Sequence, residues 1–169
     1  MPDVAGRLAR HRVPLGFAFG VVCLWLAQPS WWSLALGLPV AALGEAIRVW
    51  AAGHLEKGRE VTRSGPYRFT GHPLYLGSLF MGTGLAVAAR SVPVAIVVFG
   101  YLAGTLVAAM RTEERWLRQQ FGEEYRAYRA GAGTSGTRTF SVTRFWQNRE
   151  HRALIGLLAA ILLLALRVR

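Results

Sequence analysis

Two short polar clusters carry the chemistry this chain could perform. Ser64-Gly-Pro-Tyr-Arg-Phe-Thr-Gly-His-Pro-Leu-Tyr-Leu-Gly77 is rich in turn formers and runs directly into an apolar segment, and Arg111-Thr-Glu-Glu-Arg115 follows the next one. Gly65-Pro66 predicts a turn, and Gly71 and Pro73 bracket His72 at a helix start. Proline is tolerated in the first helical turn because its missing N–H would have no partner there. This arrangement directs His72, the backbone donors of the helix start and the Tyr75 hydroxyl into one polar corner. Glu113 and Glu114 follow the fourth apolar segment at the same end, so the two clusters can meet. A carboxylate pair on a basic surface suits an amine or a cationic cofactor. The same residues also fit two plainer roles: a histidine capping a loop, and glutamates pairing with Arg111, Arg115 and Arg118.

Other polar residues offer less. Glu45 and Arg48 stand three apart on the second apolar segment, where ionisable groups either mark function or satisfy one another. His54, Glu56, Glu60 and His72 lack the spacing of a metal-binding helix and lie among competing arginines, so no metal is expected. Gly131-Ala-Gly-Thr-Ser-Gly136 matches a dinucleotide fingerprint in letters only, since that motif needs a strand before it and a helix after it. A flexible loop is expected there. The single cysteine, Cys23, excludes a disulfide framework and a cysteine zinc site.

The elements that would position these groups are apolar helices. Of the 169 residues, 53% are hydrophobic and 17% charged, where soluble domains carry about 25% charged. The apolar residues fall in five blocks: 13–28, 31–52, 73–89, 92–110 and 153–166. A spanning helix takes roughly 17–25 residues, so the expected fold is an all-α polytopic integral membrane protein with about five transmembrane helices. The first block is short and the last shorter still. No signal-peptide cleavage pattern follows the first block, which predicts that it is retained. After Met110 the pattern becomes amphipathic, with Trp116, Leu117, Phe121, Tyr125 and Tyr128 at helical spacing, which predicts a helix lying along the membrane surface. Residues 140–151 read as a further interfacial helix. Gly16-x-x-x-Gly20 and Gly100-x-x-x-Gly104 predict close helix approach. The whole of 1–169 reads as one membrane-embedded domain, with a cofactor region at 53–130, a loop and interfacial segment at 131–152, and a last helix at 153–166.

The net charge of +11 is unevenly spread. Sixteen basic residues precede the first block or lie in the 53–72 and 111–152 regions, and three lie at the opposite ends. This positive-inside bias places the amino terminus and both polar clusters in the cytoplasm, with the chain in the inner membrane. Nucleic acid is not an expected partner, because no soluble module is there to hold it.

Taken together, Arg59-Glu-Val-Thr-Arg-Ser-Gly-Pro-Tyr67, His72-Pro-Leu-Tyr-x-Gly77 and Glu113-Glu-x-x-Leu-x-x-x-Phe-Gly-x-x-Tyr125-x-x-Tyr128 resemble the integral-membrane methyltransferases related to isoprenylcysteine carboxyl methyltransferase and the phospholipid methyltransferases. The resemblance covers roughly residues 40–130. It implies S-adenosylmethionine bound by Glu60, Val61, Thr62, Tyr67, His72, Pro73, Leu74, Tyr75 and Glu113, without a Rossmann domain. The family usually has arginine before His-Pro, where this chain has Gly71, and Arg63 stands in the loop before Ser64-Gly65. The implied reaction is methyl transfer to a lipophilic or lipid acceptor drawn from the membrane, an isoprenylcysteine-like carboxylate first, with a phospholipid amine as the alternative. An isoprenylcysteine-like carboxylate would need a cation, Arg111 or Arg48. A phospholipid amine would need a base, for which Glu114 is a candidate. Positioning alone can supply about 7–11 kcal/mol in such a displacement. A nicotinamide-dependent membrane reductase, with phosphates bound by the 111–152 region, and a non-enzymatic membrane protein are the competing expectations. The oligomeric state is not legible.

Overall fold

A reciprocal pair of hydrogen bonds starts the first long helix. Ser30 Oγ accepts from the Ser33 N–H at 3.1 Å, and Ser33 Oγ accepts from the Ser30 N–H at 2.9 Å, which satisfies donors that a helix start leaves free. The computed structural model describes residues 19–131 and 136–168. Within them, residues 19–26 are helical, followed by α1 (Trp31–His54), a 3-10 turn (Gly65–Arg68), α2 (Pro73–Ala89), α3 (Val92–Arg129), α4 (Val142–Gln147) and α5 (His151–Leu166). No strand occurs among the described residues.

Missing side chains hold α1 against α2. A Cβ on Gly44 would lie 2.5 Å from the Gly77 carbonyl oxygen and the Met81 nitrogen, and one on Gly84 would lie 2.6 Å from the Gly37 carbonyl oxygen. Backbones approach this closely only where glycine stands. Ser33 Oγ adds a bond to the Ala88 carbonyl at 2.8 Å. The expected pair Gly100 and Gly104 does not do this work among the described residues. Gly100 and Gly104 have nothing within 4 Å of an added Cβ, and neither does Gly20; Gly16 lies outside the described residues. At the far end, Ala27, Leu34, Ala88, Ala89, Val94 and Leu164 form an apolar cluster. Arg167 closes it by donating to the Ala27 carbonyl at 3.1 Å and the Trp25 carbonyl at 2.6 Å.

The amphipathic helix expected along the membrane surface after Met110 is not a separate element. α3 runs on unbroken through that point and kinks at Gly122, with φ 41° and ψ −111°. Between Met110 and Phe121 no residue breaks a helix, and Gly122 is the first that adopts a positive φ without strain. The turn brings Tyr125, 2% exposed, and Tyr128 back over the loop after α1. The expected interfacial helix at 140–151 is shorter, ending at Gln147, and α5 begins at His151.

Two helices, α1 and α3, are long and apolar enough to cross a membrane, and α2 and α5, at 17 and 16 residues, are shorter apolar helices. Their outer faces carry Trp32, Leu36, Ile96, Phe99, Leu162 and Leu163 exposed. Apolar surface this continuous suits lipid rather than water. The first expected span lies partly outside the described residues, as does most of the glycine-rich run at 131–136.

Candidate functional site

The site is built from the carboxyl end of α1 upward. His54 is 5% exposed, and its Nδ1 lies 3.0 Å from Ser64 Oγ. Gly65, at φ 57°, lets the backbone lie on the imidazole, where a Cβ would come within 2.5 Å of its Cδ2. That clamp sets the 3-10 turn and buries Tyr67. Tyr128, carried past the Gly122 kink, donates its hydroxyl to the Tyr67 carbonyl at 2.7 Å. His72 is the N-cap of α2, with Pro73 opening the helix. Two N–H groups of that first turn, from Tyr75 and Leu76, are spent on the His72 carbonyl at 3.1 Å each. Fewer backbone donors therefore remain for a ligand than the sequence promises.

The two polar clusters meet. His72 Nε2 lies 3.1 Å from Glu114 Oε1, and His72 Nδ1 lies 3.7 Å from Glu113 Oε2. The second distance is longer than a hydrogen bond, so Glu113 acts on that nitrogen through charge. The Tyr75 ring stands 5.6 Å from the imidazole. Glu113 raises the His72 pKa, burial pulls it down, and Glu114 raises it again, for a net rise. Burial pushes Glu113 up, but His72 and Tyr75 outweigh it and leave the carboxyl below its usual range. The contact with His72 likewise lowers Glu114, helped by Arg129. Glu113 and Glu114 follow the apolar stretch of α3 (92–110), and His72 precedes α2. Burial also raises the Tyr67 hydroxyl, and the nearby Glu113 charge adds to it.

Other expected site residues lie elsewhere. Glu60 is gripped by Arg138 through two bonds of 2.6 and 2.8 Å, the fork geometry of a strong pair. With Val61, Arg63, Glu124 and Arg144 it lines a separate cleft of about 660 Å³. Thr62 Oγ1 accepts from the Glu56 N–H at 3.3 Å, closing the loop. Arg111 is exposed at the end of the apolar stretch of α3. Arg48, expected to serve an acceptor carboxylate or to pair with Glu45, keeps a loose ion pair with Glu45 at 4.0 Å and donates more closely to Glu150 at 2.6 Å. Its charge is already taken. Among the described residues no three candidate ligands converge on a metal position.

Four positioning residues gave no sequence signal. Asn148 Nδ2 donates to the Ala52 and Leu55 carbonyls at 2.9 and 3.0 Å, and Arg144 Nε donates to the Gly53 carbonyl at 2.7 Å. Together they satisfy the open carboxyl end of α1. Glu150 anchors Arg48. Arg129 reaches back to Glu114 at 3.6 Å, and a Cβ on Gly71 would lie 3.2 Å from its guanidinium. A guanidinium thus stands beside Gly71 although the residue before His-Pro is not arginine.

The fold and corner define a class: an all-helical chain with membrane-suited faces and an acidic, aromatic corner at one end. The chain belongs to the phospholipid methyltransferase family, whose profile matches residues 40–124, just over half its length. Among curated proteins it is similar to the cobalt-zinc-cadmium resistance protein CzcN of Cupriavidus metallidurans, 30% identical over 128 residues that make up 69% of this chain and 59% of that protein. It is also similar to a steroid 5-alpha-reductase of Solanum lycopersicum, 28% identical over 101 residues, 56% of this chain and 39% of that protein. The matched regions thus cover less than two thirds of either relative. No solved structure matches.

Proposed function

We propose that the chain transfers a methyl group from S-adenosylmethionine to a lipid acceptor at the membrane interface. The observation that supports this most is the contact between the His-Pro corner and the paired glutamates, 3.1 Å from His72 to Glu114. The donor set fits such a cofactor. Carboxylates kept ionised by His72 suit its amino group, and the faces of Tyr67 and Tyr75 suit a sulfonium. When bound, the cofactor supplies an electrophilic methyl carbon. The chain's own residues do the rest. Glu113 and Glu114 hold positive charge in place, Tyr75 and His72 wall the corner, and the Tyr128–Tyr67 bond fixes the loop over it.

In this reading the amino terminus, the 53–72 loop and the 111–152 region face the cytoplasm. The apolar segments act as five spans, and the lipid enters between helices. With Arg48 bound to Glu150, an isoprenylcysteine-like carboxylate acceptor rests on Arg111, and a phospholipid amine rests on the acidic groups. The test is saturable binding of labelled S-adenosylmethionine to detergent-purified protein. We expect binding to fall by about tenfold or more in Glu113→Ala and His72→Ala. Unaltered binding in both variants would remove the corner from the account. The similarity to a steroid reductase supports a second reading, a nicotinamide-dependent reductase. Thermal stabilisation by NADPH and not by S-adenosylmethionine would establish that reading instead.

A further inference from the structure

One carboxylate inside the bundle stands without a hydrogen-bond partner among the described residues. Glu45 on α1 is 5% exposed, and neither of its carboxylate oxygens has a hydrogen-bond partner among the described residues. Its nearest cation, Arg48, is 4.0 Å away and already engaged. Arg48 Nε donates to Glu150 Oε1 at 2.6 Å, and Nη1 donates to Ser78 Oγ and, at 3.3 Å, to the Leu74 carbonyl. Glu150 is itself 5% exposed. Two buried carboxylates therefore share one guanidinium. An apolar residue at position 45 would serve the fold better, because a buried carboxylate without a partner is costly.

The cluster borders the cofactor corner. Leu74 and Ser78 belong to the first turns of α2, directly after His72. A seam runs between α1 and α5, which begins beside Glu150 and buries only Leu157 and Leu164. A lipid head group reaching Glu45 through that seam would arrive next to the corner.

We infer that Glu45, backed by Arg48 and Glu150, is a subsite for the polar head of the lipid acceptor, and that it selects a hydrogen-bond-donating or positively charged head, an amine, over a carboxylate. The assignment of this head to a methyl acceptor rests on the proposed methyl transfer. The selection itself follows from sign. A carboxylate would face two like charges across a seam of low dielectric, where repulsion is strong. An amine N–H supplies the donor that Glu45 lacks, and an ammonium also balances the surplus negative charge.

The test titrates the full chain in detergent with dodecylamine and with dodecanoate, which share a chain length and differ in head-group sign, and reads Tm. S-adenosylmethionine is titrated separately. We expect dodecylamine, and not dodecanoate, to raise the wild-type Tm. In Glu45→Gln the half-saturating dodecylamine concentration should rise by about thirtyfold or more. The unliganded Tm of Glu45→Gln should equal or exceed that of wild type, and Glu45→Leu should behave alike. The subsite is overturned by an equal response to dodecanoate, by no response to dodecylamine in wild type, or by an unchanged response in Glu45→Gln. A lower unliganded Tm in both variants also overturns it, because Glu45 then serves the fold. Failure of wild type to respond to S-adenosylmethionine would sink the methyl-transfer reading, while the dodecylamine arm would still decide the subsite.

Discussion

His72 faces two carboxylates at once, and this governs how the corner responds to pH. Its raised pKa means that its ion pairs stabilise the fold fully below the unfolded value of about 6.5 and fade as pH climbs through the folded one. The lowered pKa values of Glu113 and Glu114 mean the reverse: their contribution is present above about pH 4.3 and is lost as pH falls through the folded values. Both conditions hold between those limits. The Tm advantage of wild type over His72→Gln should therefore be largest near about pH 5.5 and shrink toward about pH 8. An advantage that grows with pH would contradict the pairing. Arg48 offers a second check at this scale. Arg48→Met strands Glu150 as a buried charge and should cost about 3–5 kcal/mol in denaturant unfolding. The sequence displayed Glu45 and Arg48 as neighbours, but the true partner, Glu150, lies 102 residues away along the chain. Nothing in local spacing announces such a pair.

Helix contacts in this chain depend on which glycines face another helix. Gly37, Gly44, Gly77 and Gly84 lie in the α1–α2 seam, whereas Gly100 and Gly104 face outward. Gly44→Leu should destabilise the fold by about 1–3 kcal/mol or prevent folding, and Gly100→Leu should change it by no more than about 0.5 kcal/mol. Parallel thermal scans of the two variants settle this, and equal losses would contradict the assigned seam. Asn148→Ala, which opens the carboxyl end of α1, should cost about 1 kcal/mol by the same scan. Apolar blocks and turn residues made the helices from 31 onward readable. The G-x-x-x-G spacing misled, because spacing marks a permissive face without saying whether a neighbour occupies it. The kink at Gly122 went unread for a related reason. A change from apolar to amphipathic residues alters a helix's surroundings but not its backbone, and only Gly122 allows the backbone to turn.

At the scale of the whole molecule, two facts read from the sequence proved decisive in combination: apolar blocks, and polar clusters at one end of them. The family match over residues 40–124 agrees with the resemblance drawn from the motifs. The reach of Arg138, Arg144 and Asn148 back onto α1 and its loop was illegible, since it depends on the chain returning after a glycine-rich stretch. The charge asymmetry predicts that residues of the 53–72 loop are labelled from the cytoplasmic side. A cysteine placed at exposed Arg59 should react with a membrane-impermeant maleimide only after the membrane is opened. Labelling in intact cells would reverse the orientation.

The most direct measurement of the central claim incubates the purified chain, reconstituted in lipid, with S-adenosylmethionine carrying a radioactive methyl group, and counts the label in organic-extractable product. The account predicts time-dependent label in the lipid fraction from wild type and a loss of about a hundredfold in Glu113→Ala. Lipid-soluble label at background for folded wild type that binds the cofactor, across phospholipid and prenylcysteine acceptors alike, would contradict it.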